Sequence, residues 1–240
     1  PSGKLVALIG KSGAGKSSIL KLITGILTPT KGKIFIDNID ISLIDPQVLR
    51  SNISVIMQEN QLFDETIYEN VKIGKLNAKK SEILNACKLA HVSEFTDKFP
   101  EKLFTKVGPR GSNLSGGQRQ RVAIARSLAK RPKMILGDEL TGNLDTKTSK
   151  QVMESLIDTC RENNMTTLFV THDASLTQYA SRVIRLDSGN IVSDEQGGLS
   201  SISGKAKTLV KDVKKSAQTI AEDGVNMVKS VTSKATEIFR

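Results

Sequence analysis

Leu5 to Ile9 is an unbroken apolar run, the pattern of a strand buried on both faces of a parallel sheet. Gly10 to Gly15 interrupts it, and the spacing from Ser17 to Gly25 predicts a helix. Lys33 to Ile36, Ser54 to Met57, Met134 to Leu136 and Thr166 to Thr171 predict further strands. Helical spacing marks Ser81 to Leu89, Ser115 to Leu128 and Ser149 to Asn163. The first of these lies in a lysine-rich, helix-rich region that opens near residue 65. Val183 to Leu186 and Asn190 to Val192 flank Ser188 and Gly189, which reads as a closing hairpin. Strands alternating with helices predict an α/β fold with a mostly parallel sheet and a helical subdomain over about 65–130.

The pattern changes after Asp194. Residues 195–204 have the Gly/Ser content of a flexible linker. Beyond it, small apolar residues recur at helical spacing: Ala206, Val210, Val213, Ala217, Ile220, then Met227 and Val231. The stripe is poor in Leu and has Gly224 near its centre, which argues against a strong coiled coil. Three readings of 205–240 stay open: a solvated disordered tail, a lysine-flanked helix lying on an anionic membrane surface, or a helix for a partner or a second copy. The expected organisation is thus a domain over 1–194, a linker and a tail.

Composition narrows the classes. In 240 residues, 38% are hydrophobic and 25% charged, a balance that suits a globular domain. No run of eighteen apolar residues occurs, and Pro1 leads almost directly into the first strand with no signal-peptide pattern. Cys87 and Cys160 have no metal-type spacing and read as reduced thiols. The net charge of +10 favours anionic partners such as nucleotides or acidic lipid. Aromatic residues are only 4%, and no basic cluster is interleaved with them, so no nucleic-acid partner is expected.

Against this background three groups carry candidate chemistry. Gly10 to Ser17 fits the G-x-x-x-x-G-K-[ST] phosphate loop in full, between a strand and a helix. Gly13 and Gly15 let the backbone close on phosphate oxygens, and Ser12, Ala14 and Ser18 complete the loop and the helix start. Lys16 suits the β- and γ-phosphates, and Ser17 suits Mg²⁺. Asp138 and Glu139 close an apolar strand, one placed for the Mg²⁺ shell and the other for a general base. His172 and Gln58 close two more strands: His172 is a candidate γ-phosphate contact, and Gln58 can offer an amide oxygen to Mg²⁺ or water. His91, inside a helical stretch, reads as structural. Finally, Leu114, Ser115, Gly116, Gly117 and Gln118 open a second helix with bare amides. One nucleotide hardly needs both sets of amides from one chain, which suggests two copies sharing nucleotides.

Together these groups, with Gly142 to Asp145 and Thr171 to Asp173, resemble the nucleotide-binding domain of ABC transporter ATPases, in the family's order and over roughly residues 3–193. The resemblance implies a P-loop NTPase core with an α-helical signature subdomain, ATP and Mg²⁺ as ligands, and a head-to-tail pair of domains around two ATPs. It makes Glu139 the base and His172 the γ-phosphate sensor. It places Ser115, Gly116, Gly117, Gln118 and Asp145 opposite the partner domain's nucleotide. It also implies membrane-spanning partners and a place on the cytoplasmic face of a membrane.

Leu62 to Val71 and Thr105 to Gly111 look like exporter domains, whereas Glu139 to Asp145 looks more like the lipoprotein-release and macrolide-export group. A non-transport ABC ATPase, of the DNA-repair, chromosome or translation kind, is the alternative; the exporter-like segment argues against it. Departures from the family pattern carry expectations of their own. Gly137 stands in place of a bulky apolar residue, which predicts a less well packed strand, and Leu140 replaces a Pro or Ala. Lys106 and Pro109 stand where exporters carry Glu, so contacts to the spans are expected to differ. The family also has a segment ahead of the position of Pro1, with an aromatic that stacks on adenine; weak ATP affinity is expected of these 240 residues. For the tail, the membrane-surface reading is checked by circular dichroism. Helix content should rise with anionic vesicles and stay flat with neutral ones; a spectrum indifferent to both excludes that reading.

Overall fold

The computed structural model describes residues 3–197; the expected tail, and the linker beyond Gly197, lie outside the described residues. Its frame is a six-stranded sheet. The strands are β1 (Leu5–Gly10), β4 (Ile53–Ile56), β5 (Met134–Asp138), β6 (Thr166–Thr171), β7 (Arg182–Asp187) and β8 (Asn190–Gln196), in the order β4-β5-β6-β1-β7-β8. All neighbours pair in parallel except β7 and β8, the hairpin read from the sequence. Its turn places Ser188 (φ 49°) and Gly189 (φ 82°) in the left-handed region. Leu5 to Ile9 are all buried, as a strand covered on both faces requires. A separate two-stranded sheet, β2 (Phe35–Ile36) and β3 (Ile39–Asp40), turns through Asp37 and Asn38 at positive φ.

Helices α1 (Lys16–Ile23) and α2 (Pro46–Asn52) follow β1 and β3, and α7 (Thr146–Glu162) follows β5. The helix-rich region resolves into α3 (Ile67–Lys72), α4 (Lys80–Leu89) and α5 (Ser93–Thr96), packed with α6 (Gly116–Ala129) into the helical subdomain. Each start has a local cause. Thr66 caps α3 by accepting from the Glu69 amide, and Asp45 caps α2 with Pro46 at the first turn. That Asp-Pro signal lies in the sequence, yet periodicity alone misses α2, because a helix of one buried residue, Leu49, has no stripe. β8 also runs to Gln196, so Glu195 and Gln196 of the expected linker belong to the sheet. His91 lies just past the end of α4 at φ 55° rather than inside a helix; its Nδ1 lies 2.8 Å from Glu94 and its Nε2 2.8 Å from Ser155 on α7.

One expectation is corrected. The strand at Gly137 is not loosely packed. A Cβ built on Gly137 would stand 2.3 Å from Leu140 Cγ, and Leu140 is 1% exposed. Leu140 folds back over β5 and fills the volume that Gly137 leaves. The two departures from the family pattern therefore compensate each other. Leu140→Ala should cost about 2–5 kcal/mol by opening a cavity, and Gly137→Val should destabilise by collision. The double variant should recover about 0.5–3 kcal/mol of the summed loss in urea unfolding, whereas strictly additive losses would show that the pair is not coupled.

Candidate functional site

β1 delivers the phosphate loop. Gly10 is its last residue and pairs with Leu186; a Cβ there would lie 2.4 Å from the Leu186 carbonyl, so only glycine allows this approach. Gly13 (φ 80°) and Gly15 (φ 95°) take left-handed conformations, and a Cβ on either would meet nothing within 4 Å, so both face open space. Gly15 is the N-cap of α1, which points the first amides of the helix at that space. Lys16 is nearly buried, and its Nζ donates to the carbonyls of Gly10 (2.7 Å) and Lys11 (2.8 Å).

β4, β5 and β6 end beside it. A cleft of about 310 Å³ is lined on one side by Ser12, Gly13, Gly15, Lys16, Ser17 and Ser18. Gln58, Asp138, Glu139 and His172 line the other side. Ala14 and Gly10 are not in its wall; Ala14 is buried in the core beneath the loop. Ser17 Oγ donates to Asp138 Oδ2 at 2.8 Å, which joins the loop to the acid pair. Glu139 is held at both oxygens: Gln58 Nε2 donates to Oε2 at 2.8 Å, and His172 Nδ1 lies 2.7 Å from Oε1. Donation from the imidazole to an ionised Glu139 would place the ring proton on Nδ1. Glu139 itself sits at φ 53°, a conformation rare outside glycine, with its amide bonded to the Val170 carbonyl at 3.0 Å.

The donor set fits Mg²⁺ and a nucleoside triphosphate. The open glycine cradle and the cap of α1 suit phosphate oxygens, and a hydroxyl beside a carboxylate suits a hard cation. Among the described residues no cluster of three His, Cys, Asp or Glu could hold a metal, so a cation here would complete its shell with phosphate oxygens and water.

The signature segment stands apart from this cleft, and none of Ser115, Gly116, Gly117, Gln118 and Asp145 is in its wall. Ser115 caps α6. Its Oγ accepts from the Gln118 amide (3.2 Å), and Gln118 Oε1 accepts from the Ser115 amide (2.8 Å). This box uses the Gln118 side chain inside its own chain. The amides of Gly116 and Gly117, at the first turn, have no carbonyl of their helix to bond. A Cβ on Gly117 would lie 3.1 Å from the Asn143 carbonyl, so the loop before α7 packs against these glycines. Asp145 caps α7, and hydrogen bonds from the Thr148 side chain and amide hold its carboxyl below the usual range.

Three residues around the site have no role assigned from the sequence: Asn60, Gln120, and Asn143 within the Gly142–Asp145 segment. Gln120 is fully buried, and its amide bonds both asparagines and the Glu139–Leu140 backbone. A signal exists in hindsight. Gln120 occupies the stripe of Ala123, Ile124, Ser127 and Leu128 on α6, where an apolar residue belongs.

Comparison with known proteins agrees with this geometry. The ABC transporter family model matches residues 1–142. ABC transporter B family member 24, mitochondrial, of Arabidopsis thaliana is 37% identical over 211 residues, 88% of this chain and 30% of its own length. Iron-sulfur clusters transporter ATM1, mitochondrial, of Chaetomium globosum is 37% identical over 192 residues, 80% of this chain and 32% of its own. The solved structure of a bacterial Atm1-family ABC exporter with ATP bound matches with a TM-score of 0.78 and 33% identity, over 88% of this chain and 37% of that one. The chain spans only about a third of the length of these three proteins. Among the described residues no helix is long and apolar enough to cross a membrane. The match over more than half of the chain settles the family: this is an ABC transporter ATP-binding domain of the exporter kind, and such domains are ATPases.

Proposed function

We propose that two copies of this domain, or this copy and a related one, close head to tail around two ATPs. Hydrolysis then reopens the pair, which moves membrane-spanning domains attached on the cytoplasmic side and drives export. One observation carries this reading. The phosphate loop and the acid pair share one cleft, while the amides of Gly116 and Gly117 open α6 outside its wall. A second copy turned head to tail would bring those amides to the open side of the cleft, where an anion bound in it gains donors.

Within the cleft the side chains divide the work. Lys16 moves its ammonium from the Gly10 and Lys11 carbonyls to terminal phosphate oxygens. Ser17, Asp138 and Gln58 would hold Mg²⁺, which would supply positive charge to those oxygens. Glu139 takes a proton from a water molecule as the water oxygen bonds the terminal phosphorus and the bridging oxygen leaves with ADP. For that, one of its two side-chain contacts must yield, and Gln58 is the partner with a second task. His172 orients the base through Nδ1, and a contact from its Nε2 to phosphate requires a second proton on the ring.

Glu139→Gln keeps the size and removes the base. Steady-state phosphate release should fall by about a hundredfold or more, and size-exclusion chromatography with ATP and Mg²⁺ should show a dimer absent without nucleotide. A variant that stays monomeric with ATP and turns over like the parent would sink both the base assignment and the shared site.

A further inference from the structure

Gln120 lies on α6, five residues beyond the cap Ser115, and is 0% exposed. A buried carboxamide is costly unless its two donors and its oxygen are paired. Here all are. Oε1 accepts from Asn60 Nδ2 at 3.0 Å and from Asn143 Nδ2 at 3.4 Å. Nε2 donates to the Leu140 carbonyl at 2.8 Å and the Glu139 carbonyl at 3.4 Å. Asn143 Nδ2 also reaches the Gln58 carbonyl at 3.3 Å. One side chain therefore ties the signature helix to the loop after β4, to the loop before α7 and to the peptide that follows Glu139.

That last peptide is the critical one. Glu139 is held at positive φ, a strained conformation that persists only where surrounding bonds fix it. Its amide is fixed by the Val170 carbonyl on β6, and Gln120 holds the two carbonyls that follow, closely at Leu140 and at longer range at Glu139 itself. A rotation of α6 would pull on the Glu139–Leu140 peptide and so turn the carboxylate that Gln58 and His172 otherwise hold. We propose that Gln120 is a positioning residue for hydrolysis. It touches no reacting atom, but it couples the placement of the signature helix to the aim of Glu139.

The proposal rests on Glu139 as the base, and the test separates the two ideas. Gln120→Glu, Gln120→Met and Glu139→Gln are made in the 240-residue chain and compared with the parent for kcat, KM for ATP, unfolding midpoint and amide hydrogen exchange. Gln120→Glu keeps the shape and the acceptors but loses the donors. At alkaline pH, where the introduced carboxyl is ionised, its kcat should fall by about ten- to a hundredfold, with KM within about twofold of the parent. As the pH is lowered, the buried carboxyl gains a proton and donates to the Leu140 carbonyl again, so kcat relative to the parent should rise. Gln120→Met should lose kcat with no such recovery, and both variants should exchange faster over residues 139–143. Parental kcat in Gln120→Met, with Glu139→Gln inactive, overturns the positioning role alone. Joint loss of kcat, KM and midpoint without recovery of Gln120→Glu at low pH also overturns it, as the mark of a purely structural residue. Parental kcat in Glu139→Gln overturns the base assignment and the positioning role with it.

Discussion

Parallel backbone pairing of β4, β5, β6 and β1 is the constraint on which the site depends. Ile56 stands beside Gly137, Asp138 beside Val170, and Ile9 beside Thr171, so the four strands end at one edge. Gln58, the Asp138–Glu139 pair, His172 and the phosphate loop each continue one of those ends. No residue of the cleft is placed by a long loop. The hydrogen-bonded ladder sets the spacing and apolar burial on both faces keeps it. Close approach at the rim is then paid for by composition: Gly10 admits the Leu186 carbonyl, and Gly137 admits Leu140.

A second layer adds polar ties to the apolar contact, joining α6 to that edge and to its neighbours in the helical subdomain. Gln120 reaches Asn60 and the peptide after Glu139. Farther along α6, Arg126 donates through Nε to the Asn70 carbonyl and through Nη2 to Asn70 Oδ1, both at 3.0 Å. Burial pulls the Arg126 guanidinium below its usual pKa, and Asn70 is 0% exposed. Asn70 in turn bonds both backbone groups of Phe63. Apolar burial alone would tolerate sliding of α6; a set of satisfied buried amides fixes it to particular backbone atoms. The same helix presents the amides of Gly116 and Gly117, so its position is tied to the loop that carries Gln58.

Much of this was legible in the sequence, for physical reasons. Thr166 to Thr171 is apolar enough to mark its strand to the residue, and the phosphate loop and Asp138–Glu139 lie where their flanking elements place them. What was not legible depends on tertiary contact. The packing of Leu140 over Gly137 joins two departures that look unrelated in the chain. Gln120 is hidden between Arg119 and Arg121 and declares itself only as a polar residue on a buried stripe. α2 is too short for periodicity and is set by the Asp45–Pro46 start. The phosphate loop also divides in space: Gly10 and Ala14 are not in the wall of the cleft, while their neighbours from Ser12 to Ser18 are.

The central claim is that a working site takes its phosphate loop from one copy and its signature helix from another. Mixing two inactive chains tests it directly. One carries Lys16→Ala, which spoils the loop; the other carries Ser115→Arg, which spoils the cap of α6. Each alone should be inactive. In a mixed pair, the intact loop of the second chain faces the intact signature of the first, so phosphate release should reappear on mixing. Activity that stays absent in the mixture, although both chains fold and bind each other, would contradict a site completed by the partner.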